Sequence, residues 1–163
     1  MADVGKSTTA HATERNPMAR VAKERLINWG RWQRSLPHDA PRQFPDQPMF
    51  REMVQQYRET HAPAPFDAEQ AEYTEEMLNR ILPMRDVWVC RLRFIVELPS
   101  RRAAGVLSRM RFRCSHVTYL AWVEVVIDRV AAEIQRRIAH EDLYGNPQSR
   151  EAVKEGKKYR AGA

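Results

Sequence analysis

From Leu120 to Ile138 apolar residues recur every three or four positions: Leu120, Val123, Ile127, Val130, Ile134 and Ile138. That period belongs to a helix with one apolar stripe, and the rest of the chain must supply a core to cover it. Ser115 stands where the N-cap of this helix belongs. Just upstream, Ser100 follows Pro99 as a second N-cap, and the run Arg101 to Leu107 contains Ala103, Ala104 and Gly105, small enough to let a second helix approach closely. Between the two, Ser108 to Cys114 has no helical stripe. Leu98 to Val130 therefore reads as a helix-turn-helix unit.

Charge gives this unit a direction. Residues 101 to 113 hold Arg101, Arg102, Arg109, Arg111 and Arg113 and no carboxylate, and the helix that follows opens Ser115, His116, Thr118, Tyr119. In such units the head of the second helix meets base edges in the major groove while flanking arginines hold phosphates. All nine of these residues are candidate contacts to double-stranded DNA. A solvated arginine face on an ordinary helical pair is the plainer alternative.

The chain of 163 residues suffices for one domain with extensions, and its 27 Lys plus Arg against 21 Asp plus Glu, a formal charge of +6, favour an anionic partner. Cys90 and Cys114 have no second Cys or His at close spacing, so no zinc ribbon or disulfide framework is signalled; both read as buried thiols, and no cofactor or metal is expected. The start lacks an apolar leader and no run is long enough for a membrane span, so a soluble intracellular protein is expected.

In order, residues 1–16 read as a polar tail, where GKST at 5 to 8 lacks the upstream glycine of a phosphate loop. Asn16 and Pro17 open a helix with Met18, Ala22, Leu26 and Trp29 on one stripe, and Trp29 and Trp32 read as core anchors. A proline-rich crossing segment, 35–49, holds four of the ten prolines and separates this helix from a short one at Met49 to Thr60. These make up an N-terminal helical region, 17–66. Asp67 begins a third helix, with Tyr73, Met77, Leu78 and Ile81 as its apolar side, that ends before Pro83, and Arg85 to Val96 forms a fourth, apolar nearly all round and so the most buried. Residues 67–138 form the DNA-binding domain and 139–163 a basic tail. The expected fold class is all-α.

The segment Asp67 to Ile134, with an acidic helix, a hydrophobic helix ending VEL, then PSRRAAGVL and VTYLAWVEVVIDRVAAEI, resembles the sigma-factor region 4 type of helix-turn-helix through Ala103, Ala104 and Leu107. Upstream, Leu26, Trp29 and Trp32 within RLINWGRWQR resemble the opening of the phage late-gene antiterminator Q proteins, in the branch without a zinc site. The resemblance covers roughly residues 20 to 138. It implies a non-enzymatic protein of the bacterial host cytoplasm that binds a DNA element at a late promoter, in one or two copies. Such a protein engages host RNA polymerase with its sigma factor attached and allows readthrough of terminators.

Other functions compete with this reading. One is a sigma-like or repressor-type regulator without antitermination. Another is a phage partner-binding protein whose arginines meet an acidic surface. A third is a small nuclease using Glu124, Asp128, His140, Glu141 and Asp142, although i,i+4 ion pairing with the nearby arginines explains these carboxylates more simply. Trp122, Val123, Val125 and Val126 make the last helix more apolar than DNA reading requires, which points to core packing or to a dimer or polymerase contact.

Overall fold

A computed structural model describes residues 16–37 and 48–144. The tail at 1–15 with its GKST, most of the proline-rich segment, and 145–163 lie outside the described residues. The described chain is all-helical, with six helices and no strand: α1 (Pro17–Ser35), α2 (Pro48–Thr60), α3 (Ala68–Ile81), α4 (Met84–Cys90), α5 (Ser100–Arg109) and α6 (His116–Tyr144). None of them is long and apolar enough to cross a membrane.

Helix starts follow local chemistry. Asn16 Oδ1 accepts from the Met18 amide at 3.1 Å with Pro17 at the first helical position, and Asp67 Oδ1 accepts from the Gln70 amide at 3.0 Å. Asn28 on α1 brackets the same Asp67, accepting from its amide and donating to its carbonyl at 2.8 and 2.9 Å, so α1 positions the start of α3. Ser100 is not the cap expected of it. It is the first helical residue of α5 and makes no side-chain cap; the extended Pro99 precedes it, and the Pro99 carbonyl accepts from the Ala103 amide at 2.9 Å.

The centre of the core is the fourth helix, whose residues 86 to 92 and 94 to 96 are all buried. It is not one α-helix. After Cys90 it widens into a π-helical segment, Arg91–Ile95, in which the Val96 amide reaches the Arg91 carbonyl; Glu97, with φ 49°, then turns the chain so that the Leu98 amide reaches Leu92. This ending leaves the carbonyls of Phe94 and Ile95 without helical partners. Arg34 of α1 donates to both, at 3.0 and 2.9 Å. One turn earlier on α1, Gly30 lies so close to the Phe94 carbonyl that a Cβ there would stand 2.0 Å from its oxygen.

Around this centre α1 packs on α3, α6 and the π segment, and α5 on α6, so the N-terminal helix is integrated with the helix-turn-helix. Ala22, Leu26 and Trp29 come from α1, Met77 and Leu78 from α3, Ala103, Ala104, Val106 and Leu107 from α5. The buried stripe of α6 runs Tyr119, Val123, Val126, Ile127, Val130, Ile134. Leu120 and Ile138, expected on that stripe, are exposed, and the helix continues six residues past the expected boundary at Ile138 to end at Tyr144. Trp122 is half-buried under the Arg85 guanidinium, which lies 4.3 Å from its ring, whereas Val125 faces outward. Cys90 is buried, which pushes its thiol well above the usual range, but Cys114 is only half-buried.

Trp29 is the core anchor expected, with its indole N–H donating to Glu75, which also accepts from Gln33 at 2.9 Å. Trp29→Ala removes the ring and one donor to that carboxylate. The expected cost is about 3 to 5 kcal/mol in a urea melt.

Two ionic links tie α6 to its neighbours. Asp86, wholly buried in the first turn of α4, accepts from Arg85 at 3.1 Å and from Arg129 of α6 at 2.6 Å. Farther along, Glu133 accepts from Arg136 at 2.9 and 2.7 Å and from Arg137 at 2.9 Å, while Arg137 also reaches Glu76 of α3 at 3.0 Å. The Arg136 hydrogen bonds, seconded by those of Arg137, hold the Glu133 carboxyl down to about 2, against 4.5 ordinarily. A carboxyl held down in the folded state contributes stability that is present above its unfolded value and is lost as pH falls through the folded one. The stability gap between wild type and Glu133→Gln is therefore expected to close as the pH drops from 4.5 to about 2, measured by thermal melts across that range. A gap that does not change with pH would remove the ion pair from the acid response.

Candidate nucleic-acid interface

The turn between α5 and α6 is closed by backbone hydrogen bonds. The Phe112 amide reaches the Leu107 carbonyl at 2.9 Å and the Arg111 amide reaches Ser108 at 3.2 Å, the paired bonds of a Schellman ending. Its left-handed position, usually glycine, is Arg111, with φ 70°. The chain then doubles back along α5, where the Ser108 hydroxyl lies 3.4 Å from both the amide and the carbonyl of Cys114. Ser115 ends the return: its hydroxyl accepts from the Thr118 amide at 3.2 Å and its carbonyl from the Tyr119 amide at 2.9 Å, capping α6. The head of α6 is thereby held beside the middle of α5.

Arg101, Arg102, Arg109, Arg111 and Arg113 are all exposed, and none donates to a carboxylate among the described residues. No Asp or Glu occurs from Leu98 to Val123, so nothing along this stretch neutralises them. Arg101, Gly105 and Arg109 share a face of α5 at four-residue spacing. Gly105 is not the close-approach residue expected from its company with Ala103 and Ala104: no atom lies within 4 Å of where its Cβ would stand, and it leaves a flat place between two arginines. Ser115 and Thr118 are exposed and His116 is half-buried.

Tyr119 leaves the candidate interface. It is fully buried, its phenol is pushed up to about 12 by that burial, and its hydroxyl has no hydrogen-bond partner among the described residues. The signal was present in the spacing, since 119, 123, 126 and 130 make a helical stripe that places Tyr119, and not Leu120, at its head. The same shift brings out residues that sequence reading passed over: Val117, 64% exposed, with Ala121 on the same face.

The other basic surface differs in kind. A cleft of about 360 Å³ is lined by Arg31, Arg34, Tyr57, Arg58, His61 and Phe66 among others. Its arginines serve the fold: Arg34 caps the π segment, Arg31 donates to Pro65 and Arg58 to Leu36. The candidate catalytic groups are not brought together either. Glu124 and Asp128 are exposed along α6, and His140, Glu141 and Asp142 lie near its far end, about 18 Å beyond Asp128 at the helical rise. Among the described residues no group of three His, Cys, Asp or Glu could hold a metal ion. No family model, curated protein or solved structure matches the chain.

Proposed function

We propose that the chain binds double-stranded DNA through the α5–turn–α6 unit and acts in bacterial transcription as an antitermination factor that engages RNA polymerase at a phage late promoter. The observation that carries the DNA part is the set of five exposed arginines along α5 and the turn that presents the head of α6, none of which donates to a carboxylate among the described residues. The role at the polymerase rests on the resemblance of RLINWGRWQR to the opening of the antiterminator Q proteins of the zinc-free branch, together with that of PSRRAAGVL to the sigma-region-4 type of helix-turn-helix. A promoter regulator of the sigma-like type would use the same DNA contacts and stop at initiation.

The test is transcription with purified bacterial polymerase and sigma factor on a phage-type late promoter followed by a terminator, scoring initiation and readthrough separately. Readthrough rising at constant initiation is the expected result. More initiation with unchanged readthrough would assign the regulator instead. No effect on either, with DNA binding intact, would remove polymerase from the reading.

A further inference from the structure

We infer that the head of α6 reads thymine methyl groups in the major groove, so that this protein selects A·T-rich duplex by apolar contact; the inference rests on the DNA-binding reading above. Beside the half-buried His116, the first two turns of α6 offer little else. From Ser115 to Val123 there is no Arg, Lys, Asn or Gln, so the usual bidentate partners of guanine and adenine are missing. The Ser115 hydroxyl caps the helix and lies 3.1 Å from the Thr118 hydroxyl, which engages both polar groups locally. What faces away from the core is the isopropyl group of Val117, the isobutyl group of Leu120 and the methyls of Thr118 and Ala121, all exposed. The face turns acidic only at Glu124 and Asp128, where phosphate would be repelled, which confines groove contact to the head.

An apolar face could also receive a protein. Its setting favours DNA: the exposed Arg111 and Arg113 of the turn directly precede it in the chain, and their charge complements the phosphates that border the groove. The major-groove group that an aliphatic side chain recognises is the thymine C5 methyl. Burying one such methyl is worth about fourfold in affinity.

The experiment measures binding of the full chain, by fluorescence anisotropy, to short duplexes of alternating dA-dT and to the same duplexes with deoxyuridine replacing thymidine, which removes only the methyls. The thymidine duplex is expected to bind at least about fourfold tighter, and V117S, whose site is exposed, is expected to bring the ratio of the two affinities toward one. A thermal melt confirms that the variant is folded. Equal binding of the two duplexes by wild type would overturn the inference and leave the DNA-binding reading standing. A thymidine preference that V117S retains would also overturn it, since it would belong to duplex flexibility. Failure to bind any duplex would overturn both readings.

Discussion

Gly30→Ala is expected to lower the melting temperature by more than about 10 °C, corresponding to a loss of roughly 3 kcal/mol or more. Helix propensity alone gives the opposite sign, because alanine is about 1 kcal/mol better than glycine inside a helix. The neighbour decides. A Cβ on Gly30 would lie 2.0 Å from the Phe94 oxygen and 2.7 Å from its carbonyl carbon, and both are backbone atoms that cannot swing aside. Relief requires α1 to withdraw from the π segment, which pulls Arg34 away from the two carbonyls it satisfies. Gly105→Ala is the matched control: its site is open, and a gain of about 1 kcal/mol is expected. Circular-dichroism melts of both variants provide the comparison. A Gly30→Ala protein as stable as wild type would mean that α1 does not approach the π segment so closely.

The second large effect concerns binding. Replacing Arg109 with Ala, Arg111 with Gly and Arg113 with Ala together is expected to weaken duplex DNA binding by several hundredfold at about 0.1 M salt. The slope of log affinity against log salt should also become shallower by about 2.7, at roughly 0.9 for each phosphate no longer neutralised. Folding should be little affected, because all three side chains are exposed. Glycine at 111 moreover suits the left-handed backbone better than arginine does. Affinity titrations at several salt concentrations, with a melt alongside, measure both quantities. An unchanged slope would remove the turn from the binding surface and leave its charge to solvation.

The helices could be read in the sequence where their signals are local. Asn16 with Pro17, Asp67 and Ser115 act within three residues of themselves, and the α1 stripe through Ala22, Leu26 and Trp29 needs only the helical period. What escaped depends on distant partners. Nothing near Arg91 announces a π segment, whose frayed carbonyls are tolerated because Arg34, some sixty positions away in the chain, reaches them. Asp86 reads as an ordinary first-turn carboxylate until Arg129 is folded against it. At the candidate interface the five arginines were legible because charge needs no geometry to be counted. Tyr119 and Leu120 exchanged roles because a stripe begun one residue late turns the head of the helix by 100°.

A helix of 29 residues packed by a repeating apolar stripe has a hazard of its own, which is slippage. A shift of one turn, about 5.4 Å, can leave similar side chains facing similar grooves at modest cost. The buried Asp86 carboxylate breaks that degeneracy. Only one register brings Arg129 to it, and any other strands a negative charge in the core with Arg85 alone. The ion pair thus acts as a detent. It adds little net stability by pairing, but it fixes the height at which the head of α6 meets the turn, and with it the position of the arginines against whatever the protein binds.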